Sequence, residues 1–514
     1  MDRWKSVSIS CTGGLVLNVD TQLQGRDMPG SARTLQNFES AIEGGYKKIL
    51  GYSEFDSNAL AGSGAILGVA VGLGKVYACR LSGSTYDIYG SSGSGWGSRI
   101  NPNRTGVVTK LRGIRCAITV PAMIFVDGAN PAGKWDGTTW TTINGSGAPT
   151  DPKYAAVFRN RLVLAGYSAD TQEISISEPA SDTGFVGASG AAAIPCTDII
   201  TGLRTFREEL YIFCQNSIKK LTGSTSSDFA VVDVSNTIGC VSHDSIQEIG
   251  GDLIFLSPDG LRSLAATVRV NDLELGLVSQ AIQPTLRAEV LRQFDEYEYS
   301  SCIIRAKNQY RLMIYNSGVT SANQIGFIGR LDPNRSSGDA LLAYQWSTTM
   351  GIQPYCADSA YQNNQEYAVF GHPSDGKVYR LEQGSSFSGS DIPAIYRSPD
   401  IILEDEAIRK VFQKSIIHTQ IEGDIAVSLQ IHLDADGTNI PQPAPQSLSQ
   451  TGSTPVYGTA VYGTSTYGAL TYPIFKKNLV GSGTLIAFEF TSTDQNASYR
   501  IDSFNIIYAP KSFR

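Results

Sequence analysis

The chain has 514 residues, 17% of them charged, and its 41 Lys and Arg stand against 48 Asp and Glu for a formal charge of −7. That balance excludes a general polyanion binder, because phosphate affinity depends on clustered cations that release counterions. The 52 glycines, with Tyr and Phe far outnumbering Trp, suit many tight turns between short aromatic strands.

Residues 1–60 carry turn signals at Gly13-Gly14, Pro29-Gly30 and Gly44-Gly45 without a regular strand rhythm, and are expected to form an N-terminal strap. The opening MDRWKSVSIS lacks the apolar run of a signal peptide, and no stretch is long enough to span a bilayer. A product made in the cytoplasm, and soluble or assembled, is therefore expected.

From 61 to 384 one rhythm recurs: a strand, a Gly or Asn turn, an apolar strand and a polar hairpin, in copies that begin at Gly68, Ile114, Lys153, Thr201, Asp244, Ser300 and Glu366. The clearest copy, Asp244 to Leu264, reads as three strands turned by Gly250-Gly251 and Pro258-Asp259-Gly260. Such a meander cannot bury both faces alone, so its copies must pack on one another. The starts lie roughly 40 to 65 residues apart, near the period of propeller blades. Stacked β-sandwiches would share the rhythm, but the central strands (Val76 to Cys79, Met123 to Val126, Leu162 to Ala165, Leu210 to Phe213, Leu253 to Leu256, Tyr310 to Ile314) are apolar at nearly every position. Strands buried on both faces look like that. The expectation is an all-β fold, a β-propeller of about seven blades with six to eight in range. One amphipathic run, Val278 to Phe294, repeats Ile282, Leu286, Val290 and Phe294, predicting a helical insertion that starts near Pro284.

Residues 385–514 read as a C-terminal β domain of sandwich type. Ile425, Val427, Leu429 and Ile431 alternate as in a half-exposed strand. The tract 451–472 repeats Tyr-Gly-Thr at a period of five, which predicts a flexible loop.

Chemistry is sparse. There is no GxSxG, HExxH or GxxxxGK[ST] motif. His243, His372, His418 and His432 are the only histidines, with His418 and His432 placed by strand alternation towards solvent. The eight cysteines form no CxxC and have no Cys/His metal spacing; Cys79 and Cys214 look like small core hydrophobes. No catalytic, cofactor or metal residue is assigned. Asp434 and Asp436 could begin a calcium loop, but Pro445 stands where a closing Glu belongs, so a hairpin turn is favoured. Glycosidase chemistry would need two carboxylates about 5 to 10 Å apart, for which Asp127 and Asp259 are candidates. Lys47-Lys48, Lys219-Lys220 and Lys476-Lys477 read as strand ends.

The ordered words Gly13-Gly14-Leu15, Met28-Pro29-Gly30 with Ala32 and Leu35, Asn37-Phe38-Glu39, Gly44-Gly45-Tyr46-Lys47 and Gly51-Tyr52 resemble the opening of tail nozzle or tail-stabilisation proteins from the head-to-tail junction of short-tailed bacteriophages. The C-terminal pattern, Val480-Gly481-Ser482-Gly483, then Ile501 to Tyr508 and a terminal Arg514, is similar too. The two ends cover about a third of the chain, and the blades show no residue-by-residue match. The resemblance implies a structural virion protein on a propeller, with no enzymatic activity. It also implies a homohexameric ring docked on the portal and adaptor, tail fibres as a further partner, and genomic DNA passing through without specific binding. An acidic wall would suit such a conduit, and Glu404, Asp405 and Glu406 or Asp295, Glu296 and Glu298 are candidates to line it. The alternative is a carbohydrate-binding or carbohydrate-cleaving propeller of tailspike type, marked by an aromatic-lined pocket with paired carboxylates.

Overall fold

The computed structural model describes residues 4–106, 108–264, 277–289, 297–332, 344–437, 440–450 and 473–511, and these form an all-β protein. Six small sheets stand in a ring as propeller blades. Blade one is Ser63–Gly72, Lys75–Ser82 and Thr85–Ser91; blade two is Arg112–Cys116, Ala122–Val126, Gly133–Trp135 and Trp140–Thr142. Blade three is Tyr154–Phe158, Arg161–Tyr167, Asp170–Ile176 and Ala192–Pro195; blade four is Ile200–Phe206, Glu209–Cys214, Ile218–Thr222 and Ala230–Ser235. Blade five, Gln247–Ile249, Asp252–Ser257 and Gly260–Ser263, is the Asp244 to Leu264 meander. Blade six is Cys356–Gln362, Gln365–Gly371 and Val378–Leu381, completed by Tyr52–Glu54. Between blades five and six a meander, Glu298–Ile304, Gln309–Tyr315, Ile325–Leu331 and Tyr344–Met350, closes the circle while belonging to a larger sheet. The expected count of about seven thus resolves into six free-standing blades plus this shared wall.

The fold follows from where apolar side chains meet. Each blade's second strand is buried on both faces, as in Leu162, Val163, Leu164 and Ala165, all at 0% exposure. Separate hydrophobic clusters fill the spaces between neighbouring blades: Tyr77 with Phe125, Leu164 with Ile124, Ile174 with Leu203, Phe213 with Phe255, and Val369 with Val71. The meander packs the same way, Cys302 and Ile328 against Phe370. Blades wedged together by apolar area, at roughly 25 cal/mol per Å², need no covalent staple, and all eight cysteines are buried free thiols.

The C-terminal region is two sheets packed on each other. The meander runs on into Thr34–Gln36, Ile392–Arg397, Leu485–Asp494, Ile425–Leu433 and Gln446–Gln450 as a ten-stranded sheet, in which Ile401–Ile402 also pairs with Leu485–Asp494. The second sheet holds Phe38–Ser40, Tyr46–Lys48, Tyr499–Pro510, Lys410–Ile421 and Ile474–Asn478, with Lys5–Ser10 and Ser482–Gly483 beside it. Ile425–Leu433 alternates buried and partly exposed as its pattern predicts. Phe488 and Phe490 of one sheet meet Phe504 of the other at 4.7 and 6.4 Å.

The expected division at residue 60 therefore shifts. Within residues 5–48, Lys5–Ser10, Thr34–Gln36, Phe38–Ser40 and Tyr46–Lys48 are strands of the C-terminal sheets and Thr21–Asp27 is a short helix, and Tyr52–Glu54 belongs to blade six. Gly14 explains one joint: its φ is +72°, and a Cβ there would lie 2.8 Å from the Trp346 backbone nitrogen. Leu15 N donates to Trp346 O at 2.7 Å, so the strap lies directly against the meander. Gly45 (φ +80°) turns the Phe38–Lys48 hairpin where a side chain would meet the Ile501 carbonyl at 2.7 Å. The helical insertion is observed as Gln283–Glu289, preceded by a 3-10 turn at Gln280–Ile282; Val290 and Phe294 lie outside the described residues, as does the tract 451–472. Among the described residues, no helix is long and apolar enough to cross a membrane.

Candidate functional site at the propeller axis

The first strand of each blade faces the axis, so residues at the same height on successive first strands converge. Lys110 and Arg112 enter from blade two, Arg204 from blade four, His243 and Asp244 from the turn ahead of blade five, Glu298 and Ser300 from the meander, and Asp358 from blade six. All but Glu298 line a cavity of about 90 Å³, and an adjoining mouth of about 420 Å³ is lined in part by Glu298, Tyr154, Asn216, Tyr297 and Tyr299.

Asp244 is the hub. Arg112 donates to it through Nε at 2.9 Å and Nη2 at 2.7 Å, a bidentate fork that fixes both carboxylate oxygens. Lys110 Nζ lies 3.4 Å from Asp244 and 3.4 Å from Glu298, and donates to Tyr299 O at 2.5 Å. Burial alone would raise the Asp244 carboxyl, but Arg112 and Lys110 outweigh it and hold the carboxyl well below its ordinary range. His243 stacks 5.2 Å from Tyr154, whose other partner is the Arg112 guanidinium at 5.2 Å. Its Nδ1 accepts from Leu203 N at 3.3 Å, leaving Nε2 as the donor. Desolvation and then the cations Arg112, Arg204 and Lys110, against the opposing pull of Asp244, push His243 down to about 3. It is neutral at physiological pH. Burial pushes Asp358 up, while its oxygens accept from Val71 N and Ser359 N, each at 2.8 Å.

The carboxylates proposed from sequence do not meet here. Asp127 is locked to Arg104 at 2.7 Å and accepts from Ala129 N and Asn130 N in a blade-two turn; Asp259 is paired with Arg262 in the blade-five turn. Neither lines the axial cavity or its mouth. Of the conduit candidates, Glu404 is exposed and pairs with Lys5 at 2.7 Å, whereas Glu298 belongs to the axial cluster; Asp295 and Glu296 lie outside the described residues. The Asp434 to Asp436 segment is a 3-10 turn: Asp434 accepts from Thr484 and Leu485, and Asp436 pairs with Arg397 and His432. His432, expected to face solvent, is thus half-buried in an ion-pair network. The lysine pairs are tied internally: Lys47 to Glu422, Lys48 to Asp494, Lys219 to Asp233 and Lys220 to Glu209. Among the described residues, no three His, Cys, Asp or Glu side chains converge as a metal site.

Sequence reasoning singled out Glu298 but not its partners. The signal was present: a charged residue beside the first strand of several repeats, Lys110 and Arg112, Asp244, and Glu298, is costly in a core and is tolerated where strands face an axis together.

No protein-family model matches the chain, and no curated protein does. Among solved structures, an exo-β-1,3-galactanase from Phanerochaete chrysosporium aligns over 90% of this chain and 100% of its own at 12% identity and a TM-score of 0.27. An ancestral GH74 enzyme aligns over 66% and 49% at 12% identity and 0.39. PorZ, a surface component of the type-IX secretion system of Porphyromonas gingivalis, aligns over 80% and 59% at 10% identity and 0.37. At these values the likeness assigns no function, and the fold stands on the sheet arrangement itself.

Proposed function

We propose that the protein is a structural subunit of a bacteriophage tail, a nozzle protein that assembles as a ring of six below the portal and adaptor. The observation that carries the reading is where the N-terminal words fall. Gly14, Glu39, Gly45 and Tyr46 are the joints that lace residues 5–48 through both C-terminal sheets. A strap tied at every turn suits a body that bears load in an assembly. Among the described residues, Gln446–Gln450 and Ile474–Asn478 are the outer strands of their sheets and lie side by side, joined by Lys477 Nζ to Ser447 O at 2.6 Å, with exposed Ile474 and Val480 nearby. Strand edges of this kind are templates for pairing with another chain. The axial cavity is far too narrow for a duplex, so a DNA path runs through the opening shared by the copies. Negative-stain electron microscopy of the purified full chain is the test. Rings with a central opening are expected; single particles at every concentration would refute the reading.

A second reading, a carbohydrate-binding or carbohydrate-cleaving propeller, is favoured by the mouth, where Tyr154, Tyr297 and Tyr299 stand beside Asp244 and Glu298. It requires release of reducing sugar from bacterial surface polysaccharide, or saturable binding to it, and loss of either in Asp244→Asn.

A further inference from the structure

The axial cavity is lined by three cations, Lys110, Arg112 and Arg204, and by two carboxylates, Asp244 and Asp358. Lys110 and Arg112 are both spent on Asp244. Arg204 is not: among the described residues its guanidinium makes no hydrogen bond or ion pair, and Asp358, the carboxylate that acts on it most strongly, is not within ion-pair distance. A second group in the same wall is also unspent. Ser300 is fully buried, and its Oγ has no hydrogen-bond partner. His243, also in the wall, has its Nδ1 occupied by Leu203 N, which turns Nε2–H into a further donor.

A half-buried cation without a partner is costly, and so is a buried hydroxyl without one. The acceptors on this wall are already committed: Asp244 to Arg112 and Lys110, Asp358 to two backbone amides. What the wall lacks is an acceptor for the Arg204, Ser300 and His243 donors.

We propose that the propeller axis holds one small monovalent anion, a halide or a compact carboxylate or oxyanion, bound by the Arg204 guanidinium with Ser300 and His243 as supporting donors. A volume of about 90 Å³ admits such an ion. The ion would tie blades four and five to the meander at the axis, where no strand pairing joins them. The site is independent of the nozzle reading, since it concerns the propeller of one copy.

Bromide tests it, because it scatters anomalously and replaces chloride. Crystals of the full chain grown or soaked in sodium bromide are expected to show an anomalous peak within hydrogen-bond distance of Arg204 and Ser300, absent in Arg204→Met. In solution, the thermal midpoint of the wild-type chain should rise by about 2 °C or more over a hundredfold rise in bromide at constant ionic strength, with gluconate as the balancing anion. Ser300→Ala, which removes only a hydroxyl, should weaken that dependence even if Arg204→Met fails to fold. An empty cavity in bromide would overturn the proposal. So would a peak unaccompanied by any wild-type response to bromide, which would mark an adventitious ion only, or equal responses in wild type and Ser300→Ala.

Discussion

Two charged clusters in this protein are both built from cations and carboxylates and use them differently. In the strap clamp, Glu39 from the N-terminal strap and Glu382 from the end of blade six hold Lys307 and Arg311 of the meander, with Lys307–Glu39 at 2.6 Å, Arg311–Glu39 at 3.3 Å and Arg311–Glu382 at 2.5 Å. Both cations touch both carboxylates, and the Glu39 and Arg311 side chains are each only 3% exposed. At the axis, Asp244 is shared by Arg112 and Lys110 at 17% exposure, Glu298 reaches solvent at 37%, and Arg204 stands beside them unpaired. A closed network fixes geometry; an open one leaves capacity for a ligand. The clamp is accordingly read as a structural tie and the axis as the place where this fold can bind something.

Removing one member of each cluster separates the two roles. Glu39→Ala strands two buried cations on the remaining Glu382, and a loss of about 3–5 kcal/mol is expected in urea-induced unfolding. Asp244→Ala leaves Arg112 and Lys110 nearer water and nearer Glu298, so the expected loss is smaller, about 1–3 kcal/mol. Equal losses in the two variants would erase the distinction between closed and open clusters.

Acid sharpens the comparison. His243 is lowered from 6.5 to about 3, so between those values the unfolded chain binds a proton that the folded chain refuses. Stability therefore falls as pH drops from 6.5 towards 3, by at most ~1.4 kcal/mol per pH unit from this group. Glu382 and Asp244 are both lowered, Glu382 because Arg311 and Lys307 outweigh its burial. Their contributions are complete above the ordinary values of 4.5 and 3.8 and are lost as pH falls below them through the folded values. Between pH 6.5 and 4.5, then, the loss from His243 runs against an opposing gain from Asp358, whose raised carboxyl takes up a proton in the folded chain, and His243→Gln should lessen the fall of the unfolding midpoint on acidification in that window. An unchanged slope would show that the axis does not hold His243 neutral. The smallest effect belongs to an exposed pair: Glu404→Ala breaks Lys5–Glu404, and a change within about 0.5 kcal/mol is expected, because solvent already screens it.

The propeller was legible because its signal is local: Leu253 to Leu256 and its counterparts are apolar at nearly every position, and turn glycines mark the period. The C-terminal strands declared themselves through alternation at Ile425 to Ile431. What was not legible depends on distance along the chain. Thr34–Gln36 inserts between Tyr344–Met350 and Ile392–Arg397, and Tyr52–Glu54 pairs with Val378–Leu381; three-residue strands have no periodicity to read, and their partners lie more than 300 residues away. The axial site was hidden for the same reason, since Arg112 and Asp244 belong to different blades and only ring closure brings them to 2.7 Å. Asp127 and Asp259 drew attention as carboxylates from different blades, yet each serves its own turn.

We propose that this chain works as one copy in a ring. Mass photometry of the purified full chain, over a range of concentrations and with the partner adaptor ring added, measures it directly. A discrete species at six times the 55.2 kDa chain mass is expected; a single 55.2 kDa species under every condition, adaptor included, would contradict the proposal.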